Sequence, residues 1–196
     1  MAAAATLTPR EVSELSGTPK HVIEKAIEER VLPVRSSRRG MANGRRMLPT
    51  QAVVYAVVVS KLDLKLTAAH KKRLFGRLAS LKSADMRKAR VELAPAVEIH
   101  VGRLVGDVLD RAERYRAVRD ASIRIDPKIM GGTPVIRGTR MTVYSVLGRI
   151  EHGETVNDIL ADNPDLKRET VEAAIIYART HPLMGRPAGR PWAEAA

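Results

Sequence analysis

Apolar residues along the chain recur mostly at the three- and four-residue spacing of helices, with short interruptions where the period falls towards two. Thr8-Pro-Arg-Glu11 sets a capping threonine, a proline at the first helical position and a glutamate to close the cap, predicting a helix from Pro9 to about Ser16. Gly17-Thr18-Pro19 predicts a tight turn and a second start, and Val22, Ile23, Ala26 and Ile27 form the apolar stripe of a second helix. From Val34 to Leu48 the residues read as two short strands around a loop holding Gly40 and Asn43-Gly44. The apolar segment from Pro49 to Leu62 is β-branched enough for a buried strand, but its length favours a helix.

Two further amphipathic stretches follow, Thr67 to Leu81 and Gly102 to Asp120, the second with Leu104, Val105, Val108, Leu109, Ala112, Tyr115 and Val118 on one stripe. Between them Ala89 to Ala94 and Val97 to Val101 alternate about Pro95, the pattern of a short strand pair. Beyond Ser122, Ile123 and Ile125 alternate, Gly131-Gly132 and Gly138 mark turns, and helices are predicted from Val143 to about His152, Val156 to Ala161 and Lys167 to Thr180. The fold expected is mostly α. It comprises a winged helix-turn-helix over 1–64, a helical connecting or dimerising segment with short strands over 65–120, a three-helix domain over 121–182 and a basic tail over 183–196.

Composition narrows the chemistry. Aromatics are 3% of the chain, so the cores must be aliphatic, and the absence of cysteine excludes disulfides, thiolate metal sites and a cysteine nucleophile. The longest apolar run, Ala52 to Val59, is too short to span a bilayer, and Met1 to Thr6 has no basic leader, so a cytoplasmic protein is expected. His21, His70, His100, His152 and His181 are scattered without ligand spacing. With no Gly-x-Ser-x-Gly and no Gly-Lys-Ser/Thr phosphate loop either, no catalytic residue, metal or cofactor is expected.

The formal charge of +12 favours a polyanionic partner. Residues 1–64 carry 10 basic and 6 acidic side chains, 65–120 carry 14 and 7, and 121–196 carry 10 and 9, so the excess stops where the C-terminal segment begins. Arg35, Arg38, Arg39, Arg45, Arg46 and Lys61 fall in a stretch without a single acid, and Lys71, Lys72, Arg73 and Arg77 are more simply read as a solvated helical face. Double-stranded DNA is the expected ligand, and residues 1–64 are expected to bind it weakly alone.

The order of elements from Leu7 to Leu48 resembles the N-terminal domain of MerR-like and excisionase-like regulators. The resemblance implies that Lys20, His21 and Lys25, with Glu24, face the major groove, and that Arg35, Arg38, Arg39, Arg45 and Arg46 form a wing on the backbone or minor groove. The Arg-Tyr-Tyr-Glu stretch usual in MerR recognition helices is here Ile23-Glu-Lys-Ala-Ile-Glu28. Gly132-Thr-Pro-Val-Ile-Arg-Gly-Thr-Arg140, with the Gly153-Glu-Thr and Asn163-Pro164 turns and Tyr177-Ala-Arg, resembles a family of homeodomain-like domains of unknown function whose members include VapB-type antitoxins. That resemblance implies a PIN-like ribonuclease toxin as partner and repression of a shared operon. Of the tail, Arg186 and Arg190 are the residues expected to reach the toxin's carboxylate-lined site, with Trp192 as the apolar anchor that fixes the register. The reading is a homodimeric DNA-binding antitoxin, joined through Val97 to Val101 and the helix from Gly102. The alternatives are a stand-alone repressor without a toxin and a pure protein-interaction module.

Overall fold

The computed structural model describes residues 6–37, 45–62, 64–95 and 97–183. Helix α1 (Pro9–Ser16) starts as its cap predicts: the Thr8 hydroxyl accepts from the Glu11 N–H at 3.2 Å, and the Thr8 N–H donates to Glu11 Oε2 at 2.7 Å. Gly17, with φ of 66°, ends it in the left-handed conformation that glycine adopts without steric penalty. Helix α2 (Lys20–Glu28) follows across a turn pinned by Ser13, whose hydroxyl donates to the Thr18 carbonyl at 2.7 Å. Strands β1 (Arg35–Ser37) and β2 (Arg45–Met47) form an antiparallel pair, and the Leu7–Leu48 bridge ties the start of the chain to its base.

Helix α3 (Gln51–Lys61) is buried at every position from Gln51 to Val58. A helix apolar on all sides needs neighbours on all sides, and α3 has them in α1, α4 (Ala68–Ala79), α6 (Val101–Val105) and α7 (Val108–Ser122). Leu74, Phe75 and Leu78 of α4 are buried with it, and the Phe75 ring meets Tyr55 edge-on at 6.0 Å. After the short α5 (Ser83–Met86), β3 (Arg90–Ala94) and β4 (Val97–His100) pair antiparallel and contribute Val91, Leu93 and Ile99 to the same core. Apolar side chains from Leu7 to Tyr115 thus form one core shared by the N-terminal and middle segments.

Two expectations for the middle segment need correcting. The second strand stops at His100, and Val101 already opens a helix. The continuous helix expected from Gly102 is broken at Gly106, where φ is 52° and ψ −124°, between α6 and α7. The apolar spacing of Leu104, Val105, Val108 and Leu109 continues across the break and hides it. Gly102 is required by a different constraint: a Cβ there would lie 1.7 Å from the Arg87 carbonyl oxygen, so α6 can pack on the turn after α5 only with no side chain. Of the stripe expected at a dimer seam, Val101, Val105, Val108, Leu109, Ala112 and Tyr115 are buried within the chain.

The remaining residues build a second, smaller core. Strands β5 (Ile123–Arg124) and β6 (Val135–Ile136) pair antiparallel, and α8 (Val143–Glu151), α9 (Val156–Asp162) and α10 (Arg168–Thr180) close around Ile136, Val143, Val146, Ile159, Val171 and Ala174. Thr142 caps α8, Thr155 and Asp158 form a capping box on α9, and Arg149 pairs with both Glu154 and Asp162 to join the two helices. The chain is mostly helical, as expected. Helix α10 also packs outward, placing Ala173 and Ile176 against the larger core beside α1 and α7.

Polar side chains reinforce that junction. Glu11, fully buried, accepts from the Tyr115 hydroxyl at 2.7 Å and from Arg119 Nη1 at 2.7 Å while its other oxygen caps α1. Burial pushes this carboxyl up, but the Arg119 charge, the Thr8 N–H and the Tyr115 hydroxyl together hold it below the ordinary range. Burial and the adjacent carboxylate both push the Tyr115 hydroxyl up.

Glu11→Ala leaves the Tyr115 hydroxyl and Arg119 Nη1 without their acceptor while Arg119 keeps Asp120 at 2.7 Å, and should cost about 1–3 kcal/mol in chemical denaturation. Because the Glu11 carboxyl is lowered in the folded chain, its contribution is full above the ordinary glutamate range near 4.5 and is lost as pH falls through the folded value. Glu11→Gln should therefore be less stable than the parent at neutral pH and converge on it in acid; parallel stability curves would refute the linkage. Residues 1–64 alone would expose the faces of α3 that α4, α6 and α7 cover, so this fragment should show no cooperative thermal unfolding by circular dichroism, contrary to the expectation that it binds DNA by itself.

Candidate nucleic-acid interface

Helix α2 buries Ile23 and Ala26 and turns Lys20, His21, Lys25 and Glu28 to solvent. Lys20, His21 and Lys25 are the residues expected at the major groove. Lys20 Nζ lies 2.6 Å from Glu24 Oε1, one turn on, so part of its charge is engaged within the helix. The hydrogen bond from Lys20 holds the Glu24 carboxyl below its ordinary range, aided by the charges of Lys20, Arg46 and Arg10. Arg46 of β2 and Arg10 in the first turn of α1 are both exposed.

The hairpin supplies the rest of the expected wing. Its register sets Arg35 opposite Met47, Ser36 opposite Arg46 and Ser37 opposite Arg45, and the Arg35 and Arg46 side chains are exposed. Arg45 is placed on β2, while Arg38 and Arg39 lie outside the described residues. Arg10 is not among the residues expected at the site from sequence. A signal for it exists, since a residue at the second position of a capped helix cannot face the core when its neighbours Glu11 and Val12 do.

Other basic residues are committed elsewhere. Lys71 pairs with Glu29 at 2.7 Å, Arg73 Nη1 donates to the Leu93 carbonyl at 2.9 Å, and Lys61 Nζ donates to the Leu104 carbonyl at 2.6 Å. These bonds hold α4 against the end of α2, β3 against α4, and α3 against α6. Lys72 and Arg77 remain exposed on α4.

The Gly132 to Arg140 motif builds a scaffold with a cationic rim. Met130, Gly131 and Gly132 all have positive φ, and Gly138 sits at 81° in the turn after β6. The Thr139 hydroxyl donates to the Ile136 carbonyl at 2.9 Å and accepts from the Met141 N–H at 3.0 Å, closing that turn. Val135 and Ile136 point into the core, whereas Arg137 and Arg140 are exposed, as are Lys128, Ile125 and Met130. In a homeodomain-like arrangement the third helix reads the groove. Here that helix is α10, whose inner face packs against α1, α7 and α8 while Arg168, Glu169, Glu172 and Arg179 are exposed. Arg186, Arg190 and Trp192 lie outside the described residues. Among the described residues no cluster of three or more histidine or acidic side chains is arranged to hold a metal ion, and no helix is long and apolar enough to cross a membrane.

Comparison with known proteins bears on these two halves unequally. The "Uncharacterized protein y4eO" of Sinorhizobium fredii is 29% identical over 199 residues, spanning 94% of this chain and 86% of that protein. The crystal structure of Rv2018 from Mycobacterium tuberculosis aligns with 89% of this chain and 100% of its own at 13% identity, with a TM-score of 0.40. Residues 123–178 match the family described as a protein of unknown function, DUF433, and this match contains the whole Gly132 to Arg140 motif, so the smaller unit is similar to that family of small helical domains.

Proposed function

We propose that this protein is a DNA-binding regulator whose α2 face and β1–β2 wing contact duplex DNA. What supports the reading is an exposed cationic set, Lys20 and Lys25 on α2 with Arg35 and Arg46 on the hairpin and Arg10 in the first turn of α1. A helix presenting polar residues beside a basic hairpin suits a major-groove contact flanked by phosphate contacts. The smaller unit then serves as the partner module, since the inner face of its third helix is occupied within the chain and Ile125, Met130, Lys128, Arg137 and Arg140 are among its exposed residues. The partner proposed, on the resemblance of the Gly132 to Arg140 motif to VapB-type antitoxins, is a PIN-like ribonuclease. The regulator acts as a homodimer on paired half-sites, and the exposed Val97 on strand β4 offers an edge for pairing.

Replacing Lys20, Lys25, Arg35 and Arg46 by Ala should weaken operator binding and flatten the dependence of log affinity on log salt by roughly 0.9 for each phosphate that is no longer neutralised. Glu24→Gln should act in the opposite sense and tighten binding at low salt. An unchanged slope in fluorescence anisotropy titrations of the fourfold variant would place the DNA site elsewhere.

The toxin reading and its alternative, a repressor acting alone, are separated by co-expression with a PIN-like nuclease from the same operon. The regulator should co-purify with the nuclease and suppress its cleavage of RNA, and Arg137→Glu with Arg140→Glu should relieve the suppression. Full suppression by that variant would move the nuclease contact off the motif.

A further inference from the structure

A cleft of about 440 Å³ opens where α1, α7 and α10 meet. Its floor is formed by the buried or half-buried Leu15, Val118, Ala173 and Ile176, and its rim by exposed charges, Arg111 and Arg114 of α7 and Glu169 and Glu172 of α10. Helical spacing accounts for the arrangement. Arg111, Arg114, Tyr115 and Val118 share one face of α7, and Glu169, Glu172, Ala173 and Ile176 share one face of α10. Each helix therefore lines the cleft with charge from the earlier part of its stripe and with apolar surface from the later part.

The two helices run antiparallel along the cleft. Thr170, in the first turn of α10, donates to the Ser122 hydroxyl at the end of α7 at 3.4 Å. Near the other end of α10, Arg179 engages Glu14 at 3.3 Å, and Arg111 donates to the carbonyl of the adjacent Leu15 at 3.3 Å. The basic pair thus lies towards one end of the cleft and the acidic pair towards the other, with the apolar floor between. Glu169 and Ile176 are about 10 Å apart along α10 at 1.5 Å per residue, which sets the scale of that separation. Among the described residues Arg114, Glu169 and Glu172 form no ion pair, and Arg111 uses one of its five donors on Leu15. Opposite charges held apart at the two ends of an apolar trough call for a ligand that is itself bipolar. A single amino acid keeps its ammonium and carboxylate too close together to reach both ends, whereas a chain of three residues at about 3.3–3.6 Å each matches the distance.

We propose that this cleft is a binding site for short unblocked peptides with apolar side chains. The terminal carboxylate lies over Arg111 and Arg114, the terminal ammonium over Glu169 and Glu172, and the side chains on the floor between them. Guanidinium groups pair with a carboxylate through a planar fork, and burial of the side chains supplies the non-directional part of the attraction. The volume falls within the range of about 300–1,000 Å³ in which proteins hold small ligands. Because its walls come from α1 and α7 on one side and from α10 of the smaller unit on the other, a bound peptide bridges the two cores, whether or not the protein binds DNA or a nuclease.

Calorimetric titration of the full chain with the unblocked tripeptide Leu-Ala-Leu tests the proposal. One saturable site is expected, with affinity falling roughly fivefold on N-acetylation and roughly fivefold on C-amidation of the peptide. Arg114→Glu should abolish the penalty for amidation and keep that for acetylation, and Glu172→Arg should do the reverse. Both positions are exposed, and unchanged circular dichroism will show that the fold is retained. Absence of saturable binding overturns the proposal. So does binding to the unmodified chain that is indifferent to both blocking groups, a comparison that stands even if a variant fails to fold. Penalties that persist unchanged in both folded variants overturn it as well, by placing the peptide elsewhere.

Discussion

A carboxylate removed from water must be satisfied by the protein around it, and the Glu11 carboxylate is satisfied by donors from two distant parts of the chain. One oxygen caps α1 through the Thr8 N–H, and the other accepts from Tyr115 and Arg119 of α7. Leaving that charge without partners would cost several kcal/mol, so the start of α1 and the last turns of α7 are held in fixed relation. Much else is referred to this point. Helix α2 is set by its turn from α1, and α7 runs directly into β5, so the same contact positions both the cationic face and the first strand of the smaller unit.

Packing extends the constraint. Helix α3 is apolar on every side, and the chain encloses it by drawing on the middle segment as well as on α1. Helix α10 then closes over α1 and α7 with small and branched residues, Ala173 and Ile176, at the contact. An alanine at such a crossing lets helices approach closely. The inner face of the smaller unit's third helix is thereby consumed as a docking surface, which leaves α2 as the helix with an open polar face beside a basic hairpin.

Much of the cationic face was legible because solvent exposure on an amphipathic helix follows from spacing alone. Lys20, His21 and Lys25 had to lie opposite Ile23 and Ala26, and Arg35 and Arg46 had to flank a hairpin loop. What spacing does not reveal is which charges meet. The pairing of Lys20 with Glu24 is local to the helix, whereas partners elsewhere are set by the tertiary arrangement. Lys61, Lys71 and Arg73, equally basic in sequence, are diverted to Leu104, Glu29 and Leu93, partners 20 to 43 residues away along the chain.

Local signals determined the starts and stops of the elements. Thr8, Thr142 and Thr155 cap the helices they precede, Gly17 ends α1, and the Gly132 to Arg140 motif turns where its glycines permit positive φ, because each of these depends on atoms a few residues apart. Tertiary structure alone decided three other things. The break at Gly106 is invisible to periodicity, since the apolar stripe runs through it and the helices on either side both pack against α3. The need for glycine at position 102 comes from the Arg87 carbonyl. The double role of Glu11, read from sequence as a cap and no more, arises because Tyr115 and Arg119, more than a hundred residues later, can be brought to it only by the folded core.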